Sequence, residues 1–213
     1  MPRALIKSAV IVVLLGGLGW LFVRSARSVR SEPYEIAGNR LTGWTLAIEP
    51  AASASGVLLG LQPDKQTAAM LFGQVFSRTG ESLSGPVPAA IPLVLQAEFD
   101  RAHAGTMTPE ALLSAVRSAG LETSPFEPRC MAQRRVSEPG ITRSVYFIRF
   151  DWPAFDGFRR QVAEQMRASG GAGFEPAGLS PVMIVAGSDT AFARWLPLKA
   201  ESADDCLAPI AKK

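Results

Sequence analysis

The chain has 213 residues, 47% hydrophobic and 19% charged: enough apolar material for one packed domain, and a pattern that excludes a disordered chain. Its formal charge of +3 hints at nucleic acid, but five of the 22 Lys and Arg (Arg3, Lys7, Arg24, Arg27, Arg30) lie in the first 30 positions, which hold no Asp or Glu. The 17 basic and 19 acidic residues that remain make a slightly acidic body, without the clustered positive surface that nucleic-acid binding needs.

Ser8 to Val23 is a run of 16 uncharged residues. As a helix it rises about 24 Å, and the hydrocarbon core of a bilayer is ~30 Å thick. Ala4, Leu5 and Ile6, with Lys7 snorkelling to the headgroups, extend it to a full span, and Trp20 and Phe22 suit the far interface. Residues 1–30 therefore read as an uncleaved signal anchor with its apolar core at 8–23, in contact with lipid through residues 4–23. The alternative is a cleaved secretory signal, cut after Ala26-Arg27-Ser28, which would release the domain to the periplasm. Arg24 and Arg27 between the apolar run and that cut argue against it. A core helix is disfavoured because the run has no polar face.

The positive-inside rule comes close to a tie, since basic residues flank both ends of the span. Cys130 and Cys206 help to break it. They are the only two cysteines, with no CxxC and no neighbouring histidine, and read as one disulfide of an oxidising compartment. Two unrelated buried thiols are the duller alternative. The expected place is the inner membrane, single-pass, with the C-terminal domain extracytoplasmic.

Residues 31–40 (SEPYEIAGNR) read as a juxtamembrane linker, and 41–213 as the domain. GWTLAIEP alternates Trp44, Leu46 and Ile48 against Thr45, Ala47 and Glu49, the period of a half-buried strand, with Val57–Leu61 as its hairpin partner. Asp64 caps a helix to about Arg78, with Ala68, Leu71, Phe72, Val75 and Phe76 on one side. After a loop come helices at Leu93–Ala102 and Pro109–Ala119, the latter capped by Thr108 and stopped by Gly120. Strands at Cys130–Val136 and Thr142–Asp151 flank the Pro139-Gly140 turn. An amphipathic helix spans Pro153–Ala168, a buried strand Val182–Ala186 and a short helix Ala191–Leu196, before a polar tail with Cys206. The fold class predicted is α+β: a single domain with a mainly antiparallel sheet of about five strands and three to five helices, preceded by one N-terminal transmembrane helix.

Chemistry is sparse. His103, the only histidine, lies in AHAGT at a predicted helix end, where a charged imidazole meets the last carbonyls. One His and two Cys do not complete a zinc site, so no metal and no cofactor is expected. Gly170-Gly171-Ala172-Gly173 lacks the ending of a phosphate loop, and Gly80–Gly85 misses the nucleophile-elbow spacing by one residue. Asp151, Asp156 and Asp189 stand at element ends, where two carboxylates can divide acid and base roles, although caps and turns use the same residues. Arg129, Arg134, Arg135 and Arg143 share one hairpin and offer a binding surface for an acidic partner. Two long loops, Thr79–Ala90 and Ser169–Pro181, are uncommon without a reason.

The function expected is that of a bacterial-type envelope protein, non-enzymatic, with an envelope protein or a cell-wall component as partner. The alternatives are a small envelope hydrolase or lyase using carboxylates, and a cytoplasm-facing single-pass protein with Arg24, Arg27 and Arg30 against anionic lipid.

Overall fold

The computed structural model describes Gly17, Gly19, Trp20 and residues 32–50, 53–102, 107–171, 173–198 and 206–213. Most of the expected anchor, and His103, lie outside these residues. No helix among the described residues is long and apolar enough to cross a membrane. Contacts divide the chain into two units, Met1–Glu32 and Pro33–Lys213, and the second carries the fold.

That unit is α+β. A five-stranded sheet is built from β1 (Tyr34–Ile36), β5 (Glu127–Glu138), β6 (Ile141–Asp151), β7 (Val182–Gly187) and β8 (Cys206–Lys212), in the order β1-β8-β5-β6-β7. Every pairing in it is antiparallel except β1 with β8, so the sheet is mixed. A separate three-stranded antiparallel sheet joins β2 (Thr45–Ile48), β3 (Val57–Gln62) and β4 (Ile91–Leu95). The four helices among the described residues are α1 (Lys65–Thr79), α2 (Gln96–Ala102), α3 (Pro109–Ser118) and α4 (Pro153–Ala168).

Strand alternation explains how the large sheet is covered on both sides. Met131, Tyr146, Ile148, Met183 and Val185 join the main core, with β3, β4 and the helices. Ala132, Val145, Phe147 and Ile184 pack into a smaller core closed by Phe192, Trp195 and Leu198. A helix with one wet side needs only a stripe, and α4 buries Phe155, Phe158, Val162 and Met166 along its length. Aromatic rings fill the end of the main core. Phe126 lies 5.0 Å from Trp44 and 5.6 Å from Phe150, both edge-on, and the Trp44 indole N–H donates to the Arg40 carbonyl.

Among the described residues one arginine, Arg159, is fully buried, and it is a clasp. Arg159 Nη2 and Nη1 donate to the Glu98 carboxylate at 2.7 and 3.2 Å. The remaining donors go to the carbonyls of Leu93, Glu175 and Pro176 at 2.7–2.9 Å. All five guanidinium donors are satisfied. Glu98 also accepts from Leu95 N–H, so one ion pair holds β4, α2, α4 and the loop after α4 together.

Cys130 and Cys206 form a disulfide that ties β8 to β5, their Cα atoms 5.7 Å apart. Several expectations need correction. The segment expected as a linker carries β1 and a 3-10 turn (Gly38–Leu41), and the polar tail is β8, an interior strand of the large sheet. The expected helix at Leu93–Ala102 is the end of β4 followed at once by α2. Gln96 N–H donates to the Gly56 carbonyl there, so the chain turns from strand to helix with no turn residue between them. The expected helix at Ala191–Leu196 is a 3-10 turn over Phe192–Trp195. The large sheet has the expected five strands and is mainly antiparallel, but the first hairpin, β2 and β3, is not part of it and joins β4 in a separate sheet, while β1 and β8 take its place.

Candidate functional site

A large concavity among the described residues runs beside α1. Asp64 sets the start of that helix, its carboxylate accepting from the backbone N–H groups of Gln66 and Thr67. The Thr67 hydroxyl and backbone N–H beside it hold the Asp64 carboxyl below its usual range. From there the helix shows two apolar faces. Thr67, Leu71 and Val75 are buried in the core, while Lys65, Ala68, Ala69 and Phe72, at i, i+3, i+4 and i+7, line a groove.

The groove has a volume of about 490 Å³. Met183 and Val185 of β7 form part of its lining, Gln62 and Pro63 lie at the β3–α1 junction, and the opposite wall is the loop Gly85-Pro86-Val87-Pro88-Ala89. A volume of ~300–1,000 Å³ is usual for a small-molecule site. Lys65 is the one charged side chain among the described residues of the lining. Val87, at the tip of the wall, is 93% exposed, and Phe76, stacked 6.2 Å from Phe72, is half-exposed.

The wall is fastened before any ligand arrives. Ser84 and Gly187 exchange two backbone hydrogen bonds of 2.8 Å, which join the loop to β7. Glu81 accepts from the Ser144 hydroxyl at 3.0 Å and from Arg135 Nη2 at 3.2 Å, which joins it to the β5–β6 ladder. Gly85 packs closely: a Cβ there would come to 3.2 Å from the Phe72 ring, which would have to shift by a few tenths of an ångström. Behind this network Tyr146 is buried with its hydroxyl 2.7 Å from the Gln133 amide. Burial first, and then the Glu81 carboxylate, push its phenol up to about 12, so it is no base at neutral pH.

The three carboxylate candidates do not gather in one site, because Asp189 lies far from Asp151. Asp151, at the end of β6, pairs with Arg129 at 3.1 Å through both of its oxygens. Asp156 is exposed in the first turn of α4, where a negative charge suits the helix dipole. Asp189 accepts from Ala191 N–H and pairs with Arg194 and Arg143. Arg143 is at the opposite end of β6 from Asp151, roughly 25 Å away at ~3.3 Å per residue, so Asp151 and Asp189 do not share a cleft. Among the described residues no three His, Cys, Asp or Glu side chains cluster as metal ligands would.

The four hairpin arginines are split as well. Arg134 lies opposite Val145 and Arg143 opposite Val136 on one face, whereas Arg135 lies opposite Ser144 on the other. Arg129 sits at a register shift near the far end of β5. Arg129, Arg135 and Arg143 are each engaged by a carboxylate: Asp151, Glu81, and both Glu138 and Asp189, respectively.

One hydroxyl–carboxylate group escaped the sequence reading. Buried Glu49 accepts from Ser53 Oγ at 2.8 Å and Ser55 Oγ at 2.5 Å. It organises the β2–β3 connection, and the void beside Ser55 is about 20 Å³, room for one water and not for a substrate.

The groove is not predicted either, because the sequence period puts Ala68 and Phe72, which line it, on one core face with Leu71 and Val75. The signals were there. The apolar stripe is wider than one contact needs, and the adjoining Thr79–Ala90 loop is long. No family model, curated protein or solved structure matches this chain.

Proposed function

We propose that the chain is a membrane-anchored domain of the cell envelope, facing the periplasm or exterior, that binds a partner and does not transform it. The Cys130–Cys206 disulfide carries the compartment part of the reading, because such bonds persist in oxidising surroundings and are rare in the cytosol. The apolar leader supports the anchor. The preformed groove beside α1 supports binding, and the wide separation of Asp151 from Asp189 weakens the case for carboxylate catalysis.

The test is thiol labelling of intact spheroplasts with a membrane-impermeant maleimide, before and after reduction, with membrane and soluble fractions weighed separately by mass spectrometry. The expected result is label on membrane-bound protein only after reduction. Label taken up without reduction, and only once the cells are lysed, would place the domain in the cytoplasm and overturn the reading. Reduction-dependent label on soluble protein would replace the anchor by a cleaved signal.

A further inference from the structure

The chemistry of the groove narrows what fits it. Its lining is Pro63, Ala68, Ala69, Phe72, Val87 and Met183 with their neighbours, and its polar side chains are Gln62 and Lys65, near the start of α1. A peptide carries one N–H and one C=O at every residue, and each left unpaired against an apolar wall costs free energy. Gln62 and Lys65 serve at most one end of such an occupant. A hydrocarbon chain has no internal polar groups to satisfy.

Length and charge point the same way. From Lys65 to Phe72 the groove follows α1 for about 10 Å, with its cation at one end. Phe76, one turn beyond Phe72 and stacked with it, carries the apolar strip of α1 into solvent, and Val87 of the wall is exposed as well. One lysine at one end of an apolar channel is complementary to one chain with one negative terminus.

We propose that the groove binds a long-chain fatty acid, its hydrocarbon laid along α1 between Phe72 and the Pro86–Pro88 wall and its carboxylate at Lys65. This gives a ligand class to the binding domain proposed above and rests on that reading. The wall is held by Glu81 and by the Ser84–Gly187 pair, so the site is open without a folding step.

The experiment uses the full chain in lipid nanodiscs, incubated with palmitate bearing a diazirine near its methyl end, irradiated and digested, with adducts mapped by mass spectrometry. Adducts are expected in α1 and in residues 85–89, competed by unlabelled palmitate and much less by hexadecanol. Lys65→Glu should lower their yield about tenfold, since an attraction becomes a repulsion. Ala69→Trp, on an exposed lining position, should abolish them with the unfolding midpoint unchanged.

Adducts confined to residues 4–23, or equal yields in both variants, would overturn the proposal. Competition by a lysophospholipid and not by palmitate would overturn the carboxylate assignment. Displacement of the adducts by an apolar peptide and not by palmitate would make the groove a peptide site, leaving the binding-domain reading standing while the fatty acid falls. The spheroplast labelling tests the compartment independently of all these outcomes.

Discussion

The side-chain amide of Gln74 stands in for a β-strand partner of Glu35: its oxygen accepts from Glu35 N–H and its nitrogen donates to Glu35 C=O, each at 2.8 Å. β1 is an edge strand, and an uncovered edge is a template for pairing with another chain. Arg78 adds to the cover, donating to the Pro33 carbonyl and lying 4.1 Å from the centre of the Tyr34 ring. Gln74→Ala should lower stability by about 1 kcal/mol in urea denaturation and raise self-association measured by light scattering. An unchanged scattering profile would mean that Arg78 and Tyr34 suffice.

The Arg159–Glu98 pair should behave asymmetrically. Glu98→Gln leaves a buried guanidinium without its counter-charge and should cost about 3–5 kcal/mol in urea. Replacing both residues by leucine should recover part of that loss, since neither charge is then stranded, although the carbonyls of Leu93, Glu175 and Pro176 lose their donor. A double replacement as damaging as the sum of the single ones would show that those carbonyl bonds, and not the ion pair, hold the clasp.

Breaking the disulfide by Cys130→Ser with Cys206→Ser should lower stability by roughly 4 kcal/mol, the chain-entropy value for a long loop. The denaturant midpoint of the untreated chain should move toward that of the variant when a dithiol reductant is added. Equal midpoints with and without reductant would show that the bond does not contribute.

The two tyrosines of the chain should titrate late. Burial raises Tyr34, opposed by Arg78, and burial with Glu81 raises Tyr146 to about 12. The unfolded phenol ionises near pH ~10, so Tyr146 contributes stability that is present below that pH and is lost as pH rises from there through about 12. Near-ultraviolet titration of the folded protein should show little phenolate at pH ~10, and Tyr146→Phe should flatten the alkaline fall in stability. Half of the tyrosine absorbance change at pH ~10 would contradict this.

What the sequence disclosed was local. Asp64 and Thr108 cap their helices as their positions implied, Pro139-Gly140 turns the hairpin, and α4 follows its apolar period. Those signals act within a few residues. β8 was illegible because Pro209 speaks against an interior strand and because its neighbours, β1 and β5, lie far away in the chain. β4 reads as helix because no Gly, Pro, Asn or Asp stands between Leu93 and Phe99 to mark the change at Gln96. The Arg159 clasp and the groove are products of packing among distant segments. A local period or spacing has no means of announcing them.

The pairing of Tyr34 with Ile210 sets an order of events during synthesis. Among the strands of the described residues β1 is made first and β8 last, and β8 is the one with which β1 pairs. Until β8 has been made, β1 lacks its strand partner, Cys130 lacks Cys206, and the β1 side of the large sheet stays unfinished. The rest of the unit can begin to collapse, but its final closure waits for the last strand. The large sheet therefore closes once synthesis has passed β8, and not strand by strand as the chain emerges.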